Sequence, residues 1–247
     1  MKTQKDTETP PDAAQWLDHL DDAAALAAML DDQATAVTAA RKSLGQIERA
    51  VTAIAKRMAK DEKARIIYAG AGASIRIAVQ DGVELLPTFN WPKDRVAYLI
   101  AGGTKSLIES VEDAEDDEVA AREMVANLTL SENDVVIAVA ASGRTSFTCA
   151  VLNEAIKAGA FAIGVANNAD TPLLNEADIG IPLITGGEAL AGSTRLKAAT
   201  AQKICLNMIS TLVMTRLGRV RDGKMIAMRP TNAKLRKRFH RIHGTDA

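Results

Sequence analysis

Two glutamates and three hydroxyl-rich turns hold the residues of this 247-residue chain best suited to chemistry. Glu84 lies in D-G-V-E-L-L-P-T-F, flanked by Val83, Leu85 and Leu86 and followed closely by Pro87. A glutamate in such company is either exposed at a helix end or kept as a proton-transfer group. Glu115 lies in V-E-D-A-E-D-D-E, residues 111–118. Alone, that run reads as a solvated loop whose acids favour the N-terminus of the next helix, and spacing does not separate Glu115 from Glu112 or Asp116. The turns are G-A-G-A-S-I-R at 70–76, A-S-G-R-T at 141–145 and G-S-T-R-L-K at 192–197. Ser74, Ser142, Thr145 and Ser193 supply hydroxyls, Gly143 lets the backbone approach a ligand closely, and Arg195 and Lys197 add positive charge. Each turn alone is an ordinary capped connection. Three of them in one sheet favour a phosphate site. The first lacks the third glycine of the dinucleotide fingerprint, and no G-x-x-x-x-G-K-[ST] occurs, which argues against NAD and against nucleoside triphosphate hydrolysis.

Positioning these turns requires strands that end together. The apolar run 135–141 reads as a strand covered on both faces, stopped by the second turn and followed by apolar residues at helical spacing (Phe147, Val151, Leu152, Ala155, Ile156). Similar strands are expected at 65–69, 96–100, 161–166 and 179–184. Helices are expected at 118–128, from Ile75 to about Gly82, and at 194–217, with a basic terminal helix at 231–240. Residues 12–60 carry helical periodicity (Leu17, Leu20, Leu26, Met29, Leu30, then Val37 to Met58), with a break expected near Asp31-Asp32. Strands separated by helices imply an α/β fold: a parallel five-stranded sheet with helices on both faces and N-terminal helices added. The expected division is a helical arm at 1–60, a ligand-binding domain at 61–230 and a basic helix or tail at 231–247.

Composition fits that architecture. An apolar fraction of 47% and a charged fraction of 25% are those of a soluble globular chain, and 3% aromatics leave an aliphatic core. No apolar run reaches transmembrane length and no signal peptide is visible, so a cytoplasmic protein away from membranes is expected. Cys149 and Cys205 sit in helical patterns and read as free thiols of a reducing compartment. His19, His240 and His243 are too few and scattered for a zinc site, so no metal is expected. The basic stretch 216–241 lacks interleaved aromatics, so it reads as a solvated helix facing an acidic partner surface, with no nucleic-acid role.

The ordered set G-A-G-A-S, D-G-V-E-L-L-P-T-F, A-G-G, V-E-D-A-E-D-D, A-S-G-R-T, G-S-T-R-L-K-A-A-T-A-Q-K, L-N-M-I-S-T and T-N-A-K-L resembles the N-acetylmuramic acid 6-phosphate etherases, within the sugar-isomerase (SIS) phosphosugar-binding domains. The likeness runs from about residue 7 to Arg238, and G-S-T-R-L-K with its continuation is its most specific part. The resemblance implies a flavodoxin-like αβα sandwich, a homodimer with sites near the interface, a small sugar phosphate as ligand, and cleavage of a lactyl ether without metal or organic cofactor. It makes Glu84 the acid and Glu115 the base, places Ser74, Ser142, Gly143, Thr145 and Ser193 in the sugar-phosphate pocket, and makes Arg195 and Lys197 supports.

The implied chemistry suits these side chains. In the open-chain sugar the C1 aldehyde acidifies the C2 proton, and the lactyl oxygen on C3 is β to that carbonyl. One carboxylate takes the C2 proton, a carboxylic acid protonates the departing oxygen, and water adds at C3 of the unsaturated aldehyde. The chain departs from the family pattern at Ala73 and Ile75 in the first turn, at Val83 and Leu85 beside the acid, and at Ser146, where a proline is usual. Its N-terminal signature is reduced to Thr7-Glu8. Two other roles use the same fold: a non-catalytic regulator that binds a hexose 6-phosphate, and an aldose–ketose isomerase.

Overall fold

Five short runs rich in Val, Ile and Ala become strands, the central ones buried on both faces and the two edge strands only in part. In the computed structural model, which describes residues 6–228 together with 236, 237 and 239, these are β1 (Ile66–Gly70), β2 (Val96–Ile100), β3 (Val135–Val139), β4 (Phe161–Ala166) and β5 (Ile179–Pro182). They form one parallel sheet in the order β2-β1-β3-β4-β5. The expected strands at 96–100 and 161–166 match residue for residue. Alternate side chains face opposite layers, as strand geometry requires. Ile66, Tyr68, Val135, Ile137, Val139, Ile163 and Ile181 pack under α2 (Leu44–Lys60), α3 (Gly72–Phe89) and α7 (Lys197–Arg216). Ile67, Ala69, Val136, Ala138 and Ala162 face α4 (Glu118–Leu128), α5 (Ser146–Lys157) and α6 (Pro172–Asn175). Bulky branched residues thus fill one layer, and alanines bring the helices of the other close to the sheet.

The N-terminal helices differ from expectation in their boundary. Helix α1 (Asp22–Lys42) is capped by the Asp21 carboxylate, which accepts the Ala24 N–H at 2.8 Å, and it runs unbroken through Asp31 and Asp32. The break falls at Ser43, whose hydroxyl donates to the Pro182 carbonyl at 2.5 Å. Aspartate in a helix interior is only mildly unfavourable, and Asp32 has a tertiary partner described below. Both α1 and α2 pack on α7. Helix α3 also exceeds expectation: it begins at Gly72 and continues to Phe89, with Pro87 in its last turn and Asn90 in the left-handed conformation that ends it (φ 50°). Helix α7 begins at Lys197, three residues later than expected, because residues 192–196 form turns. A two-residue hairpin, β6 (Val220–Arg221) and β7 (Lys224–Met225), follows it. The basic helix expected at 231–240 lies outside the described residues except at 236, 237 and 239.

Two arginines secure the N-terminal edge of the sheet. Asp134, just before β3 and 1% exposed, accepts from Arg65 N (2.8 Å), Arg65 Nε (3.2 Å), Arg65 Nη2 (2.7 Å) and Ser131 N (2.8 Å). Burial would raise its carboxyl, but the Arg65 guanidinium and the backbone N–H groups outweigh it and hold the group below the usual carboxylate range. Arg95 donates to the carbonyls of Ala64, Met58 and Asp61 and lies 4.2 Å over the Trp91 ring.

The opposite edge is the one that matters for a ligand. The chain steps from β1 outward to β2, then returns past β1 to β3. That reversal opens a crevice at the C-terminal ends of β1 and β3, the usual ligand position in such sheets.

Candidate functional site at the C-terminal edge of the sheet

Two of the three hydroxyl-rich turns flank this crevice. Gly70, the last residue of β1, pairs with Val139, the last of β3, so the turns that follow them are neighbours. Ser74 lies in the first turn of α3 and is buried, and its hydroxyl makes no hydrogen bond among the described residues. Ser142 Oγ lies 3.3 Å from Thr145 Oγ1 and accepts the Arg144 N–H at 3.2 Å. Thr145 precedes α5 without capping it through its side chain. Gly143 has φ +65°, and a Cβ there would overlap Thr171 Oγ1 and stand 2.6 Å from Thr171 Cβ. Thr171 is fully buried beneath the turn with its hydroxyl unpaired. It escaped the sequence reading, although Thr before Pro172 signals a helix start. The positive ends of α3 and α5 therefore converge on one place, which suits an anion.

The loop after β2 brings one carboxylate to the same place. Glu115 Oε1 lies 2.8 Å from where a Cβ on Gly72 would stand, in the first turn of α3, while the Glu115 carbonyl accepts the Phe147 N–H at 2.9 Å in the first turn of α5. Three of the neighbouring acids have other partners. Asp116 Oδ1 is 3.5 Å from Ser146 Oγ, Asp117 caps α4 through the Ala120 N–H at 2.9 Å, and Glu118 pairs with Arg122. Of this acidic run, Glu115 is the residue that touches the first turn of α3 through its side chain and the first turn of α5 through its backbone. Arg76, in the second turn of α3, donates to the Ser106 and Glu109 carbonyls and ties this loop to the helix.

Glu84 is placed elsewhere. It is exposed, next to Val83, which is 55% exposed. Twelve residues of helix separate it from Gly72, about 18 Å along the axis at 1.5 Å per residue. Within one chain the two glutamates do not meet. Asp81 and Gly82, ahead of Val83, are buried, and Asp81 accepts from Tyr68 Oη at 2.8 Å, Asn207 Nδ2 at 2.7 Å and Ser210 Oγ at 2.9 Å. Tyr68 stacks on Tyr98 with ring centroids 6.0 Å apart. Burial, then the Asp81 charge, hold the Tyr68 phenol well above its ordinary range and push Tyr98 up to about 12.

The third turn comes after β5, and the start of α7 that follows it is tied to the end of β4, where the Asn167 side chain donates to the Ala198 carbonyl at 3.3 Å. Ser193 is half-buried and Arg195 exposed. Lys197 is buried, its Nζ 2.5 Å from Asp32 Oδ1. Glu188, 1% exposed, accepts the N–H groups of Lys197 (3.1 Å) and Ala198 (3.0 Å) at the start of α7; burial raises its carboxyl and those two N–H groups oppose the rise. Asp32 and Glu188 were not legible as partners, since nothing local in D-D-Q or G-G-E marks them. A cavity of about 260 Å³ lies here, lined among others by Pro10, Asp32, Thr185, Glu188 and Lys197. The Thr7-Glu8 remnant is built in beside it: Thr7 exchanges hydrogen bonds with the Asn168 side chain (3.0 and 2.9 Å), and the Glu8 carboxylate lies against Gly192. Among the described residues no group of three or more His, Cys, Asp or Glu side chains could hold a metal ion, and no helix is long and apolar enough to cross a membrane.

Known proteins match this arrangement in both sequence and fold. An N-acetylmuramic acid 6-phosphate etherase of Deinococcus radiodurans is 44% identical over 239 residues, 96% of this chain and 77% of that one. The chain belongs to the N-acetylmuramic acid 6-phosphate etherase family. Etherases of Streptomyces avermitilis (44% identity, 87% of this chain and 68% of that one) and Shouchella clausii (43%, 96% and 79%) agree. Residues 46–156 also match the family described as the glucokinase regulatory protein N-terminal SIS domain. Among solved structures, a phosphoheptose isomerase from Francisella tularensis superposes with a TM-score of 0.59 at 15% identity, covering 79% of this chain and all of that one. The sugar isomerase domain of an RpiR transcription factor from Sphaerobacter thermophilus gives 0.51 at 20% identity, covering 76% and 89%. These two establish only that the etherase family member has the SIS fold, which serves enzymes and regulators alike.

Proposed function

We propose that this protein is a carbon–oxygen lyase that cleaves the lactyl ether of N-acetylmuramic acid 6-phosphate, giving N-acetylglucosamine 6-phosphate and D-lactate. The observation that carries this is the place of Glu115: its side chain and backbone join the first turns of α3 and α5, beside Ser74, Ser142 and Thr145. Those hydroxyls, with Gly143, hold the sugar phosphate at the helix N-termini, and Glu115 takes the C2 proton. Glu84 protonates the departing lactate oxygen, and since it lies about 18 Å along α3 from Gly72, it does so from the partner of a homodimer. Ser193, Arg195 and Lys197 complete the pocket from the third turn, where the Lys197 charge is already shared with Asp32. Residues 1–60 act as the helical arm, 61–230 as the phosphosugar domain and 231–247 as the basic tail of a cytoplasmic protein.

Incubation with N-acetylmuramic acid 6-phosphate tests this directly. Wild type releases D-lactate, and Glu84→Gln and Glu115→Gln each reduce release to a residual rate measurable only at high enzyme concentration, with the fold intact by circular dichroism. A second role, ligand binding without cleavage, is favoured by Ala73 and Val83, which remove polar groups from the family pattern, and by the match to the regulatory protein's SIS domain. Thermal stabilisation by the sugar phosphate with no lactate released would select that role.

A further inference from the structure

Asp81 is an unusual side chain for the inside of a helix-covered sheet. It is 6% exposed, and its three partners, Tyr68 on β1 and Asn207 and Ser210 on α7, are all neutral. Taking a carboxylate out of water is costly even when it is hydrogen-bonded, and an apolar residue would pack α3 on α7 as firmly. What the carboxylate adds is direction. Three donors from two elements converge on its two oxygens, Tyr68 on Oδ2 and the other two on Oδ1, so the helix can neither rotate nor slide without breaking one of them.

The next residue reinforces this. A Cβ at Gly82 would stand 2.7 Å from Tyr98 Oη and 2.8 Å from Tyr68 Cε2, so α3 lies directly on the stacked tyrosine pair. Asp81 and Gly82 together form a seat. The two residues that follow, Val83 and Glu84, are the exposed ones. Glu84 comes three positions after Asp81, about 60° round the same helix and 5–6 Å away between Cβ atoms. With side chains at a radius of about 5–6 Å, a 20° roll of α3 would carry the Glu84 carboxyl roughly 2 Å, and misplacement by about 1 Å can cost a hundredfold in rate.

We propose that Asp81 is a positioning residue for Glu84, fixing the roll of α3 so that the acid meets the substrate bound by a partner chain. The inference rests on the lyase activity proposed above and deepens it. The experiment is steady-state kinetics of lactate release on the full chain, for Asp81→Asn and Ser210→Ala, each alone and combined with Glu84→Gln, whose residual turnover is followed at high enzyme concentration. Asp81→Asn is expected to lower kcat about tenfold or more with KM changed less than about twofold. Ser210→Ala, which leaves the carboxylate in place and removes one donor, gives a smaller loss of the same kind. Neither substitution lowers the residual rate of Glu84→Gln further, because a residue acting through Glu84 has nothing left to position. A purely structural Asp81 would instead raise KM, lower Tm in parallel with activity, and add its cost in the Glu84→Gln background. That pattern, or full kcat in Asp81→Asn, overturns the positioning role and leaves the lyase intact. A wild type that releases no lactate overturns both.

Discussion

At the residue scale, the informative side chains are buried and charged or polar. Asp134 is the clearest for stability. Its four hydrogen bonds, three of them from Arg65, join the starts of β1 and β3. Asp134→Ala leaves Arg65 with only the Leu128 and Thr129 carbonyls and no opposite charge, and is expected to destabilise the chain by about 3 kcal/mol, read from the urea midpoint at neutral pH. The pH dependence has a definite sign. A carboxyl held below its ordinary range in the folded state stabilises above the unfolded value, near pH 4, and loses that contribution as pH falls through the lower folded value. Wild type should therefore lose stability below about pH 4 more steeply than Asp134→Asn, in urea titrations from pH 5 to 2.5. At the site, sequence order alone could not distinguish Glu115 from Glu112 or Asp116. Glu115 is set at the α5 N-terminus by a backbone bond to Phe147, 32 positions away, and such distant pairings leave no local mark.

At the element scale, strands were more legible than helix ends. Continuous apolar runs bounded by turns gave β2 and β4 to the residue, because each position of these strands is at least partly buried, even in β2 at the sheet edge. The end of α1 was not legible, since what breaks the helix is the Ser43 hydroxyl reaching a carbonyl 139 positions later. The three hydroxyl-rich turns looked alike in sequence, yet two directly follow β1 and β3 at the reversal and the third is reached only after the loop that leaves β5. Strand order decides that, and composition does not contain it. The turn before α5 gives the prediction proper to this scale. Gly143→Ala forces a side chain into the left-handed region and onto Thr171, costing about 1–2 kcal/mol. It should raise KM for the sugar phosphate about tenfold while shifting kcat much less, since it disturbs the phosphate grip and leaves Glu115 untouched.

At the scale of the whole molecule, the separation of Glu84 from Glu115 makes a prediction about pairs of chains. If each site takes Glu115 from one protomer and Glu84 from its partner, two inactive proteins can complement one another. Equal amounts of Glu84→Gln and Glu115→Gln chains, unfolded and refolded together, form mixed dimers in which one site has both glutamates and the other has neither. Statistical pairing then restores about a quarter of wild-type activity. No recovery, with exchange verified by mass, rejects a shared site. The opposite rim of the sheet carries a different lesson. There the Arg65–Asp134 pair and the Arg95 clamp lie one full strand length from the hydroxyl-rich turns after β1 and β3. Anchorage and specificity occupy separate ends of the same strands, so a new sugar preference could be engineered by rewriting the upper loops while the foundations stay as they are.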